Sequence, residues 1–161
     1  MLYSTDDDGF KKIEREIIVK LIVSDQACDK LCSIITEPWI LESEAARTLA
    51  IWIKEYYNVY HKAPQNEIDD IFCDKVNHNK VSEDVAELFN DVLLPSLAKE
   101  CANIEQSPDI QYFLDRVEQY INCRHIQYLY KQAEQLSKLG NTKEAFDLLN
   151  YSKPIKLVSN D

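Results

Sequence analysis

The stretch FLDRVEQYINCRHIQYLYKQAEQLSKLGN, residues 113–141, carries the period of one long helix, yet its apolar stripe does not keep to one face. At about 100° per residue, Ile110, Phe113, Leu114, Val117, Tyr120, Ile121 and Tyr128 fall in one sector, and Ile126, Leu129, Tyr130, Ala133 and Leu136 lie on the opposite side. One short helix layer does not cover two opposed faces. The first half is therefore expected to dock on its own core while the second half finds another surface. Gly140 supplies a left-handed cap, and Asn141 or Thr142 starts a short helix. Its Ala145, Phe146, Leu148 and Leu149 can fold back on the second face as an αα-hairpin. A two-helix hairpin leaves apolar area exposed, which marks a protein interface. The residues expected to form it are Ile126, Leu129, Tyr130, Ala133, Leu136, Ala145, Phe146 and Leu149.

Upstream, Phe10, Ile13, Ile17, Leu21 and Ile22 recur at helical spacing. Asp25 can cap a second helix carrying Ala27, Cys28, Leu31, Cys32 and Ile35, which stops before Pro38 because the residue preceding proline disfavours helical torsions. Pro38-Trp39-Ile40-Leu41 reads as an apolar connector. Ser43 then caps a helix patterned by Ala46, Leu49, Ile53, Tyr56 and Tyr60, with Trp52 beside them, and Ala63-Pro64 ends it. A shorter helix is expected from Asn66 to about Phe72, with a polar loop from Asp74 to Lys80. Ser82 opens another through Val85, Leu88, Phe89, Val92 and Leu93, where Pro95 kinks or breaks the pattern before Leu97 and Cys101. Ser107-Pro108 punctuates next. No stretch alternates with period two for long. The expected fold is all-α: a small globule of about five to six helices plus a protruding C-terminal αα-hairpin. The expected division is a flexible acidic lead at 1–9, a helical globule at 10–106, the long helix and hairpin at 107–150, and the start of a linker at 151–161.

The chain of 161 residues is long enough for one domain with a real core. Its 45% hydrophobic content with nine Tyr and two Trp argues against disorder, and no run approaches the roughly 18 apolar residues of a membrane span. The formal net charge of -10 repels phosphates, so strong direct DNA binding is not expected. The opening MLYSTDDDGF is acidic, unlike the basic start of a secretory signal, and five Cys at irregular spacings read as buried thiols of a reducing compartment. A cytoplasmic location is the expectation.

Candidate chemistry is sparse. The two glycines, Gly9 and Gly140, exclude a phosphate-binding loop or dinucleotide fingerprint, which need closely spaced glycines so that backbone amides approach phosphate. Cys28 and Cys32 share a helix face, but zinc needs two further ligands. An enzyme using a metal or thiol site would draw on Cys28, Cys32, Cys73, His78 or Cys123. In Cys123-Arg124-His125, neighbouring helical positions point about 100° apart, so a thiol and imidazole there do not meet as nucleophile and base. Arg124 falls in the first apolar sector and is expected to make a structural ion pair with a carboxylate such as Asp115 or Glu118. His61 and His78 are expected to be solvated. No catalytic residue, cofactor or metal is expected.

Two stretches carry a family resemblance: EREIIVKLIVSDQACDKLCSIITEPWILESEAARTLAIWIKEYYNVYHKAPQNEI at 14–68 and IQYFLDRVEQYINCRHIQYLYKQAEQL at 110–136. Together they resemble the N-terminal domain of DnaB-type replicative helicases, particularly the phage-like branch, over about residues 10 to 150. The matching features are the helix Glu14 to Leu21, the aspartate-led helix Asp25 to Ile35, the connector Trp39-Ile40, the helix end Tyr57 to Pro64, and Arg124 past the middle of the long helix. The resemblance implies pairing of two such domains through the hairpin, with three pairs forming a collar on a hexameric ring where primase or another replisome protein docks in DNA replication. The family's ATPase motor has no counterpart in these residues. The chain is thus expected to be either a part ending near Lys153-Pro154 or a stand-alone adaptor, such as a helicase loader or inhibitor. The helicase-binding domain at the C-terminus of bacterial primases is similar in fold. YKQAEQLSKLGNTKEAFDLLN at 130–150 also resembles one tetratricopeptide hairpin, but no second copy lies upstream, and such repeats stack in arrays.

Overall fold

The structure is a computed structural model that describes residues 11–78, 80–93, 95 and 110–157. Expectations placed on residues 1–10, Leu97, Cys101, Ser107-Pro108 and residues 158–161 lie outside the described residues. Among the described residues the chain is all-helical, with α1 (Lys12–Val23), α2 (Asp25–Leu31), α3 (Glu44–Tyr60), α4 (Glu67–Asn77), α5 (Glu83–Glu87), a π-helical continuation (Leu88–Leu93), α6 (Ile110–Lys138) and α7 (Thr142–Tyr151). It divides into two compact units, one up to Ile110 and one from Gln111 onward.

In the first unit α1 is the centre. It buries Ile13, Ile17, Ile18, Val19, Leu21, Ile22 and Val23, more than one face of the helix, and packs against α2 and α3. Lys12, Arg15, Glu16 and Lys20 fall at i, i+3, i+4 and i+8, so α1 keeps one narrow charged stripe and buries the rest of its surface. Its one buried charge, Glu14, is fully enclosed, and its carboxylate accepts from the backbone N–H of Glu42 (2.7 Å) and of Ser43 (3.1 Å). A carboxylate bonded by two amides is tolerated in an apolar interior because its charge is met by donors. The bonds also hold the residues that lead into α3, where Ser43 Oγ accepts from Ala46 N–H (3.3 Å) as expected of a cap.

Beyond the end of α2 at Leu31, short of the expected Ile35, three details depart from the sequence reading. Ser24 caps α2, its hydroxyl accepting from Ala27 N–H (3.2 Å), because it occupies the extended residue before the helix. Asp25 instead accepts from Ala63 N–H (2.7 Å), and with the Gln65 N–H bond to Ile22 C=O (2.7 Å) this ties the α3–α4 connection to the α1–α2 corner. The connection turns tightly through His61 (φ 55) and Gln65 (φ 51), both in the left-handed region. Secondly, α4 runs through Asn77 where a loop was expected from Asp74. The polar stretch holds no glycine or proline to stop it, and Lys75 anchors it through Glu55 (3.2 Å) and the Trp52 ring (5.9 Å to the centroid). Thirdly, Tyr60 does not join the α3 core face. It lies exposed with its ring 4.5 Å from that of Tyr56.

The continuation of α5 widens to a π-helix just before Pro95. A proline lacks the N–H of a regular helical bond and its ring collides with the carbonyl four residues back, so a widened turn ahead of it is the expected accommodation. Phe89 in this segment stacks on Phe72 of α4, with centroids 4.0 Å apart and planes at 7°.

Candidate docking surface

The second unit is built on α6, a single helix of 29 residues, about 43 Å at 1.5 Å per residue. Its first half buries Phe113, Leu114, Val117, Tyr120 and Ile121; beyond Ile121 only Ala133 is buried. The stripe changes face as the sequence periodicity predicts. Gly140, with φ 81, turns the chain, and Asn141 N–H bonds back to Leu136 C=O (2.8 Å). With the Gly140 N–H bond to Ser137 C=O (3.0 Å), this makes the pair of backbone bonds of a glycine-closed helix end. α7 then returns beside α6, and Ala145 is buried.

α7 leaves part of the second face uncovered. Ile126 is 64% exposed, Tyr130 73%, Phe146 66% and Leu149 48%. Leu129, Leu136 and Leu148 are half-buried. Two open grooves run along this surface. One of about 550 Å³ is lined by Tyr130, Ala133, Ala145, Phe146 and Leu149, with Glu134, Ser137, Lys138 and Thr142 at its edge. The other, of about 310 Å³, includes His125, Ile126, Leu129 and Pro154. They meet at Tyr130 and Leu149, which line both. At the rim Glu134 and Lys138 form an ion pair of 3.2 Å one turn apart. An apolar floor carrying aromatic side chains inside a polar, charged rim is the anatomy of a protein–protein contact. At about 150–250 Å² of surface per aromatic side chain, the exposed fractions of Tyr130 (73%) and Phe146 (66%) leave roughly 200–350 Å² open from those two residues. That lies at the scale of functional patches rather than of isolated surface hydrophobes. Of the eight expected interface residues, Tyr130, Ala133, Ala145, Phe146 and Leu149 share the larger groove, Ile126 and Leu129 lie in the smaller one, and Leu136 lines neither.

Elsewhere the side chains singled out from sequence sit as follows. Arg124 is half-buried, and its Nη1 donates to Gln127 Oε1 (3.1 Å). Asp115 Oδ1 accepts from Gln111 Nε2 (3.0 Å) and Glu118 Oε1 from the Leu157 N–H (3.1 Å). Cys123 is exposed beside it. Cys28 and Cys32 are buried, and Cys28 Sγ donates to Leu21 C=O (3.0 Å). The neighbouring Cys32 sulfur, together with burial, pushes the Cys28 thiol up. The neighbouring Cys28 thiol, aided by the Lys54 ammonium, holds Cys32 below its ordinary range. Among the described residues no group of three or more His, Cys, Asp or Glu is placed to hold a metal ion, and no helix is long and apolar enough to cross a membrane. His61 and His78 are exposed.

Sequence reasoning missed Asn122. Its side-chain amide holds Ile155 at both backbone groups: Nδ2 donates to Ile155 C=O (2.9 Å) and Oδ1 accepts from Ile155 N–H (2.8 Å). Residues 152–157, which the sequence places at the start of a linker, are thereby held against α6, with Leu157 buried. The available signal was an asparagine in a helix interior, where its propensity is poor. No family model, curated protein or solved structure matches the chain.

Proposed function

We propose that this chain is a non-catalytic assembly and docking module, in which the α6–α7 face pairs isologously with the same face of a second copy. The observation that carries the reading is the joined pair of grooves, with Tyr130 and Phe146 exposed across a helical hairpin that does not cover itself. In an isologous pair each copy places its aromatic side chains over the partner's groove, and one patch serves as both donor and receiver. Burying aromatic anchors in pockets at the centre of the patch, with charged groups left at the rim, is how such contacts gain most of their affinity.

The resemblance of residues 14–68 and 110–136 to DnaB-type helicase N-terminal domains supports a specific setting for the pair. In it the pair belongs to a replicative helicase collar and offers a composite surface to primase or another replisome protein. Calorimetric titration of the primase encoded by the same genome tests this setting. Saturable heat with the wild-type chain, lost when Tyr130→Asp and Phe146→Asp are combined, is the expected result. Absence of heat with a wild-type chain that self-associates contradicts the helicase setting while leaving the assembly role standing.

A further inference from the structure

Past α7 the chain stays on the hairpin, pinned at both ends. Ser152 Oγ donates to Leu148 C=O and holds the start of this stretch to the end of α7. Three residues on, Ile155 is held to α6 at both backbone groups, its N–H by Asn122 Oδ1 (2.8 Å) and its C=O by Asn122 Nδ2 (2.9 Å). Leu157 N–H reaches Glu118 Oε1 (3.1 Å), one turn earlier on the same helix, and the Leu157 side chain is buried. The three consecutive peptide units that follow Pro154 each give one group to α6, and the ring of Pro154 fixes its own φ. Residues 152–157 are thus a strap from α7 to α6.

The strap bears on the docking surface in two ways. The chain from Ser152 to Ile155 reaches at most about 10–11 Å, and the axes of packed helices lie about 8–10 Å apart. So short a link leaves little slack, and it limits how far α6 and α7 spread at the end of the hairpin away from Gly140. It also supplies surface. Of the nine residues lining the smaller groove, Ser152, Lys153 and Pro154 belong to the strap and Asn122 is its anchor. The larger groove takes no residue from it. A strap pinned in advance costs no further ordering when the groove is filled, whereas a loose one has to be ordered at that moment.

We propose that Asn122 is a positioning residue for self-association: by pinning the strap it holds the smaller groove in the shape that a second copy enters. The inference rests on the pairing of the hairpin face proposed above and adds residues 152–154 to that face. The smaller groove belongs to the same contact because it runs into the larger one at Tyr130 and Leu149, which line both. An amide suits the role, since one neutral side chain offers both a donor and an acceptor to the two backbone groups of a single residue.

Sedimentation equilibrium on a cycle of full-length variants tests it. Asn122→Ala removes both bonds to Ile155, and alanine, the better helix former, leaves α6 intact. Its dimer is expected to be at least about tenfold weaker than that of the wild type at equal helicity. Pro154→Ala trims the groove wall and is expected to weaken the wild-type dimer about threefold and the Asn122→Ala dimer not at all, because an unpinned strap no longer presents the wall. Phe146→Ala, in the larger groove, is expected to weaken both backgrounds by the same factor. An Asn122 that merely stabilises the hairpin gives the same Pro154→Ala effect in both backgrounds. That result, or an Asn122→Ala dimer as tight as wild type, overturns the inference while the pairing stands. Amide exchange at Ile155 is expected to be at least about tenfold faster in Asn122→Ala, and equal exchange also overturns it. A wild type that never pairs overturns both this inference and the pairing.

Discussion

Replacing Glu14 by glutamine changes the shape of the α1–α3 junction hardly at all and its charge completely. The carboxylate is fully buried and accepts two backbone N–H bonds, from Glu42 and Ser43. A hydrogen bond to a charged group contributes about 1.5–3 kcal/mol, against about 0.5–1.5 kcal/mol for a neutral one. Glutamine keeps one oxygen for one of the amides and turns an NH₂ group toward the other, so one bond is lost and one weakened. After allowance for the easier burial of a neutral side chain, the expected loss is about 2–4 kcal/mol. At roughly 2–4 °C per kcal/mol for a chain of this size, the melting temperature should fall by roughly 4–16 °C. Urea unfolding followed by far-UV circular dichroism gives the free energy directly. The control is Glu42→Ala, which preserves the backbone donor and removes only a side chain paired with Lys11 on the exposed side. It should cost no more than about 1 kcal/mol. A Glu14→Gln chain within about 0.5 kcal/mol of wild type refutes the claim that this carboxylate holds the start of α3.

Three other outcomes are expected. Phe89→Ala removes one ring of the 4.0 Å stack on Phe72 and should cost about 3–5 kcal/mol in the same denaturation measurement. Gly140→Ala meets nothing within 4 Å of the added Cβ, so only the left-handed φ of 81 resists it. The expected cost is about 1–2 kcal/mol, with Gly140→Asn closer to wild type. In native alkylation followed by peptide mass mapping, Cys73 and Cys123 should be modified well before the buried Cys28 and Cys32. Equal rates for the four would contradict the packing of α2.

The helical architecture was legible because it rests on periodicity, which is written locally. The change of face between Ile121 and Ile126, the glycine turn at Gly140 and the Ser43 cap all follow from the residues at those positions. Contacts between distant residues were not legible. Nothing near Glu14 indicates that two amides 28 and 29 positions on will meet its carboxylate, and nothing near Asn122 announces Ile155. Asp25 shows why capping is hard to assign by residue type alone. Ser24 and Asp25 are both good caps, and the preference for Ser24 is set by the tertiary bond that Asp25 makes to Ala63. The end of α4 was misplaced because a charged, polar stretch reads as loop until Lys75 is seen against Trp52 and Glu55. At the hairpin, the sequence identified which residues form the second face but not how little of it α7 covers. Small Ala145 is buried, and the neighbouring Phe146 stays largely exposed in the groove.

Whether the uncovered α6–α7 face joins two chains is measured most directly by sedimentation equilibrium across the micromolar range. Tyr130 and Phe146 are both largely exposed, so replacing them with aspartate leaves the hairpin's own packing in place. The wild type is predicted to sediment with twice the mass of one chain, and the Tyr130→Asp, Phe146→Asp variant with the mass of one at unchanged helicity. A wild type that remains monomeric throughout, or a variant that still doubles, contradicts the central claim.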